Sequence, residues 1–386
     1  MITTDMGRAH SSSRMSIALL EREAATAALR VVPVDPSRDW RWEQFLSQQP
    51  DATLYHHPLW LQLLHDAFGC QPAHLLCEDG QGHVRGILPL FSTMSLLTGR
   101  RFSSLPRSPI GGPLALDHAA TKELLTAAVE RVREDRGAQL QLKVQGDELS
   151  GVVDDLVGGP FRPTYVLTLP PADQQMRFGD AKRRHRIKGN VDKAARNGIR
   201  VREGESLADL RAWHQLYLQT MRRRFVPPRP YAFFERAWEL LRPAGILRLW
   251  LAEQHTAAQT QLVAGGVFLG YNGVMSYAFQ GSREEALDLR PNDALQWHAI
   301  LDAHRLGYRA YDMGEVSQGN ASLAAYKEKW GCERRWLYRY YYGTFREREL
   351  ELLDSQSRWR TLAGAAWQHV PLSGTELIST WLHRHT

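Results

Sequence analysis

In the second half of the chain the spacing of apolar residues switches between two periods, and each switch marks an element. Leu262–Asn272 and Gly273–Ser282 are apolar runs of strand character that meet at Asn272-Gly273, the dipeptide of a tight hairpin. A polar loop rich in arginine follows. Pro291 blocks helix upstream of itself, and Leu295, Ile300, Leu301 and Leu306 then recur at helical spacing. Gly307 stands where a C-cap glycine belongs, and Tyr308–Met313 reads as a strand ending in the turn Gly314-Glu315. Before the hairpin the pattern predicts a strand at Ile199–Glu203 and helices at Leu207–Arg224 and Tyr231–Leu241, split by Pro227-Pro228-Arg229-Pro230. A strand at Ile246–Gln254 leads into the hairpin. After the turn come a helix at Ser322–Trp330 and a strand at Arg335–Tyr342.

The first half repeats this order. Helices are predicted at Trp40–Gln48 and Leu59–Phe68, and strands at Pro72–Glu78, Arg85–Ser92 and Arg100–Leu105. Ala119–Arg133 is an amphipathic helix with Leu124, Leu125, Ala128, Val129 and Val132 on one face, and Leu140–Val144 alternates as a strand. Ala73–Ser92 and Leu247–Gly270 share one design, a strand, a polar turn and a glycine-containing strand, which points to an internal duplication. Four segments are expected: a flexible leader over 1–35, one domain over 36–157, a second over 158–345, and a helical tail over 346–386. The Gly- and Pro-rich stretch Val157–Pro171 reads as the linker, with a short strand at Tyr165–Leu169. Beyond it lies the most charged stretch, Ala181–Gly198. As a helix it buries Ile187, Val191, Ala194 and Ala195 and turns Lys182, Arg183, Arg186, Lys193 and Arg196 outward.

Composition adds limits rather than a function. The 386 residues are 43% hydrophobic and 23% charged, as in an ordinary globular chain. No run approaches the ~18 apolar residues of a membrane span, and the first residues make a poor secretory signal. A cytoplasmic protein is expected, with peripheral membrane contact still open. Net charge is +6, which favours anionic partners. Three cysteines without ligand-pair spacing predict neither a disulfide framework nor a metal site. No Gly-x-Ser-x-Gly elbow is present, so any acyl transfer is expected to run by direct attack on the donor rather than through a covalent enzyme intermediate.

The order of elements resembles that of the GNAT acyltransferase superfamily, and within it the FemAB-related, BioF2-like branch. The resemblance is carried by Arg290-Pro-Asn-Asp-Ala-Leu-Gln-Trp297, by Tyr311-Asp-Met-Gly-Glu315, and by Asn320 with Tyr326-Lys-Glu-Lys-Trp-Gly331. It implies an α/β (α+β) fold of two tandem GNAT-like domains, each a mixed central sheet flanked by helices, with an acceptor cleft between them. A strand that feeds a loop and a helix N-terminus suits an anion, so Arg283, Arg290 and Asn292 are the candidate donor-phosphate residues. Asp312 or Glu315 is the candidate base. The resemblance assigns Lys327 to binding or to stabilising developing negative charge, as a residue placed for ligand rather than for packing. Arg186, Asn320 and Tyr326 complete the candidate substrate residues. The expected function is N-acyl transfer from a thioester donor, acyl-CoA, to an amine on a sugar, amino acid or cell-envelope precursor, with no tightly bound cofactor and no DNA. The alternative is aminoacyl transfer from charged tRNA to a peptidoglycan-like precursor, and a third is a non-catalytic anion-binding scaffold. Arg290-Pro-Asn-Asp-Ala294 holds no glycine, unlike the Gly-containing loop of acyl-CoA members.

Overall fold

The helices begin where a side chain can take up the free N–H groups of a first turn. This computed structural model describes residues 28–343 apart from 96–98, 136, 177, 179, 225 and 318, so the expected tail lies outside the described residues. Helix α1 (Trp40–Ser47) follows Asp39, whose carboxylate accepts the Arg41 N–H at 3.1 Å. Helix α2 (Pro58–Phe68) has proline in its first turn and stops at Gly69, in the left-handed region. Asp117 caps α3 (His118–Glu134), and Asp180 caps α4 (Ala181–Arg196). Ser206 and Asp209 form a reciprocal capping box on α5 (Leu207–Arg223). The proline run opens α6 (Tyr231–Leu241), Pro291 opens α7 (Pro291–Arg305), and Asn320 caps α8 (Ala321–Glu328).

The first-half strands are β1 (Arg30–Pro33), β2 (Gln71–Pro72), β3 (Leu75–Glu78), β4 (Val84–Leu88), β5 (Phe91–Ser95), β6 (Gly99–Ser103), β7 (Leu114–Ala115) and β8 (Gln139–Gln145). Then come β9 (Val157–Thr168), β10 (Ile199–Glu203), β11 (Leu247–His255), β12 (Thr260–Tyr271), β13 (Val274–Ser282), β14 (Ala310–Glu315) and β15 (Glu333–Tyr342). They form a 4-stranded sheet, β1-β3-β4-β7, and an 11-stranded one, β10-β11-β12-β13-β14-β9-β15-β8-β6-β5-β2.

The large sheet is mixed, with parallel neighbours at β6/β8 and β13/β14. In each case one helix, α3 or α7, connects the parallel pair, so the duplication expected from the sequence is present as two βαβ units. The closing strands are exchanged between the units. Strand β9, which follows the first unit, pairs with β14 of the second, and β15 pairs with β8 of the first as well as with β9.

Several sequence expectations change, among them the strand expected at Pro72–Glu78, which is divided between β2 in the large sheet and β3 in the small one. Residues 30–33 of the expected leader are strand β1, paired to β3. The expected linker holds β9, a 12-residue strand at the centre of the large sheet. Its breakers are accommodated locally: Pro160 sits beside a register shift between Leu337 and Tyr338, where the ladder is already interrupted. The single strand expected at Arg85–Ser92 is cut at Pro89, and its two parts enter different sheets. On α4, Ile187 and Ala194 are buried as expected, whereas Ala195 is exposed.

The halves also share a core. Trp42, Trp60 and Phe68 pack in one cluster with Trp213, Phe233 and Phe234 of the second half. The hairpin tip is pinned to the first half. Asn272 (φ 43) and Gly273 (φ 73) make the turn, and the Asn272 amide donates to the carbonyls of Gln49, Pro50 and Ala52 at 3.1, 3.0 and 2.8 Å.

Candidate active site

One face of the large sheet forms the floor of a cavity of about 480 Å³ between the halves. By strand alternation that face carries Lys143 and Gln145 on β8, Arg335, Leu337 and Arg339 on β15, Thr164 and Val166 on β9, Asp312 on β14 and Ser276 on β13. The roof is the segment Ala52–Tyr55, Trp60 and the loop Arg107–Ile110, with Arg229 from the proline run. A more open chamber of about 590 Å³ adjoins it through Thr53, Ile110, Gln145 and Arg335, and carries Asp51 and Glu148.

Asp312 marks the place where two strands part. β13 and β14 pair at Val274/Ala310, Met275/Tyr311 and Ser276/Asp312 and no further. From there β14 follows β9, with a register shift before Glu315/Thr164. Burial pushes the Asp312 carboxyl pKa up, against hydrogen bonds from Thr164 Oγ1 at 2.6 Å and Gly314 N–H at 2.8 Å. Both donors fall on Oδ1. Among the described residues Oδ2 accepts none, so it is the oxygen open to a ligand. Glu315 also lines the cavity, with Arg162 Nη1 3.9 Å from its carboxylate.

Five cations, Arg107, Lys143, Arg229, Arg335 and Arg339, line the cavity against the two carboxylates Asp312 and Glu315. Lys143 is 6% exposed, and burial lowers its pKa to about 7. Its ammonium donates to the carbonyls of Leu105 (3.0 Å) and Ser108 (3.2 Å). The unfolded state takes up the proton from pH 10.5 downward, and the folded state only near 7, so this lysine makes stability rise with pH across that window. Lys143→Met is therefore expected to flatten the stability–pH curve between pH 7 and 10 by up to about 1.4 kcal/mol per pH unit relative to wild type. Urea unfolding of both proteins at pH 7, 8, 9 and 10 measures it; parallel curves would contradict a proton-poor buried lysine.

The structure brings Asp312 and Glu315 together and leaves the other sequence candidates off the cavity wall. Lys327 is buried behind the strand end, where its ammonium donates to the carbonyls of Met313 (2.6 Å), Gly314 (2.7 Å) and Glu315 (3.1 Å). Burial lowers its pKa to about 8. The expectation that it is placed apart from packing is corrected: it pins the turn that carries both carboxylates. Arg290 is itself in the left-handed region (φ 66) at the α7 N-cap and exposed. Arg283 Nε donates to Leu262 O at 2.9 Å. Asn292 offers its carbonyl to Tyr326 Oη at 3.4 Å, Asn320 serves as the α8 cap, and Arg186 is exposed on α4.

The α7 N-terminus differs from the open anion site expected. The N–H groups of Leu287, Leu289, Arg290, Asp293 and Ala294 already donate to carbonyls of the same loop. The first turn also holds a buried carboxylate of its own, Asp293, in an ion pair with Lys329.

Sequence reasoning missed Lys143, Arg229, Arg335 and Arg339. A signal existed for three of them. Gln139-Leu-Gln-Leu-Lys-Val-Gln145 alternates strictly, so in a strand central to a sheet its polar side has to face a cleft; Arg335-Trp-Leu-Tyr-Arg339 repeats the logic. Arg229 sits among prolines and has no local signal.

Residues 181–328 match the acetyltransferase (GNAT) domain family. The UDP-N-acetylmuramoylpentapeptide-lysine N(6)-alanyltransferase of Weissella viridescens is 21% identical over 318 residues, covering 76% of this chain and 88% of that protein. The crystal structure of FemX superposes with a TM-score of 0.56 at 15% identity, over 84% of this chain and 99% of that one. Residues 181–328 therefore carry a GNAT domain, and the chain is similar in sequence and fold to FemAB-related proteins. It is a GNAT-type transferase. The C-terminal domain of a putative lysylphosphatidylglycerol synthetase from Agrobacterium fabrum shares the fold, with a TM-score of 0.53 at 12% identity over 82% of this chain and 95% of that one. The FemAB-related fold thus accounts for tandem units on a mixed sheet flanked by helices.

Proposed function

We propose that the protein transfers an aminoacyl group from charged tRNA to the amine of a cell-envelope peptide precursor, in the cytoplasm and without a tightly bound cofactor. The observation that carries the reading is the open Oδ2 of Asp312, a carboxylate of raised pKa on the cavity floor. Such a group takes a proton from the acceptor's amine as it attacks, near neutral pH. The amine nitrogen bonds to the donor carbonyl carbon and the ester C–O bond breaks. The amine proton passes to Asp312 and from there to the tRNA ribose oxygen, which leaves as a hydroxyl. The similarity to an alanyltransferase named for a pentapeptide lysine supports an aminoacyl group as what is moved and a peptide amine as the acceptor. Acyl-CoA, the first expectation, is less well supported, because Arg290-Pro-Asn-Asp-Ala294 holds no glycine and the N–H groups of Leu287, Leu289, Arg290, Asp293 and Ala294 are engaged within the loop.

Helix α4 suits the RNA. It turns Lys182, Arg183, Arg184, Arg186, Lys188, Lys193 and Arg196 to solvent and packs against α7 through Asn190 and Asp293, 3.4 Å apart. The combined variant Lys182→Gln, Arg186→Gln, Lys193→Gln is expected to reduce the slope of log affinity for bulk tRNA against log salt by about 2 to 3, with unchanged melting temperature. Filter binding across a salt series reads this out. The reaction is tested by mixing the protein with charged bulk tRNA or acetyl-CoA and a lysine-containing stem peptide, followed by mass spectrometry. An aminoacylated peptide is expected. An acetylated product from acetyl-CoA with none from tRNA would overturn the donor.

A further inference from the structure

The inner cavity holds more positive charge than its own carboxylates balance, and a buried cation without a counterion is costly unless a ligand supplies one. Lys143 is held by two carbonyls and, among the described residues, by no carboxylate. Arg229 donates through Nη2 to the Arg107 carbonyl, while its Nη1 is buried with no hydrogen-bond partner among the described residues. The guanidinium is fixed between the rings of Phe233 and Phe279, with its carbon 4.5 and 5.0 Å from their centroids. Arg339 stands opposite Lys143 in the β15/β8 ladder and so shares its face. Lys143 and Arg229 meet at the loop Leu105–Ser108, to whose carbonyls both donate, whereas Asp312 lies on β14, three strands away from β8. The cavity therefore has an acidic end and a cationic end, joined by a wall of Leu54, Trp60 and Leu269.

We propose that this cationic end binds the carboxylate of the acceptor, so that the amine acylated at Asp312 belongs to an amino-carboxylate. Lys143, Arg229 and Arg339 hold the anion, and the apolar wall receives the chain between the two charges. The unpartnered Arg229 Nη1 and Lys143 Nζ offer two donor points, which match the two oxygens of a carboxylate. This rests on the reading that the amine is acylated at Asp312, and it adds to that reading what else the acceptor must carry.

Calorimetric titration with 6-aminohexanoate, hexylamine and 6-aminohexyl phosphate tests it without any donor. The carboxylate ligand is expected to bind about ten- to a hundredfold more tightly than hexylamine, the effect of one charge-assisted contact set. Lys143→Met and Arg229→Gln, each checked for an intact melting transition, should cut that preference to about threefold or less. The half-buried Arg339→Gln should do the same in part if either of those fails to fold. Equal binding of 6-aminohexanoate and hexylamine overturns the proposal, and so does tenfold preference for the phosphate. A protein that prefers 6-aminohexanoate but transfers nothing from tRNA keeps this inference and loses the transfer reading. One that aminoacylates hexylamine as fast as 6-aminohexanoate does the reverse.

Discussion

Asp312→Asn is expected to lower kcat for aminoacyl transfer by a factor of about 10² to 10⁴, the span usually lost with a general base. The amide keeps the shape of the carboxylate and can still accept from Thr164 and Gly314, but it cannot take the amine proton. Because burial raises the carboxyl pKa, activity of the wild type should fall as pH drops through a value above the ordinary carboxylate range. That acid limb should be missing from the residual activity of the variant. The same burial disfavours the charged form in the folded protein, so the variant should not lose thermal stability at pH 7. Glu315→Gln, whose partner Arg162 is 3.9 Å away, should cost less than tenfold. If the two variants exchange these phenotypes, Glu315 is the base. Rate–pH profiles of both under saturating donor decide the matter.

Lys327→Met should unfold at a melting temperature roughly 10 °C lower, from a loss on the order of 3 to 5 kcal/mol as a buried charged donor is removed. Three carbonyls at the end of β14 lose their common donor at once. The ammonium also lowers the Asp312 pKa, so any surviving activity should have its acid limb shifted to higher pH. Differential scanning calorimetry and the rate profile measure the two effects. A variant that melts like wild type but turns over a hundredfold more slowly would place the ammonium on the substrate instead.

The tandem fold was legible because its periodicities are strong. Asn272-Gly273, Pro291 and Gly307 punctuate the second half where the structure turns, starts and stops, and Leu207–Arg223 and Tyr231–Leu241 fall within a residue of expectation. Strand β9 was illegible for a physical reason: Gly158, Gly159, Pro160 and Pro163 signal a linker locally, and only pairing with β15 makes them a strand. The site divided in the same way. Asp312 and Glu315 stood out because they close a strand at a turn. Lys143 and Arg339 are neighbours only across a ladder that joins residues almost 200 positions apart, and no local window contains that pairing.

The exchanged strands β9 and β15 carry a kinetic meaning as well. A ribosome releasing this chain from its N-terminus completes β8 long before β15 exists, so the gap between β8 and β9 stays open until residue 342 has emerged. Contacts of such sequence separation close slowly, since the chain entropy is lost before the contact is gained. The floor that bears Arg335, Leu337 and Arg339 is consequently among the last parts to form. Neither half should fold to a native state when expressed alone, each leaving an unpaired strand edge open to association with other chains. Mixing the separately produced halves 28–157 and 158–343 should restore the cavity only when both are refolded together.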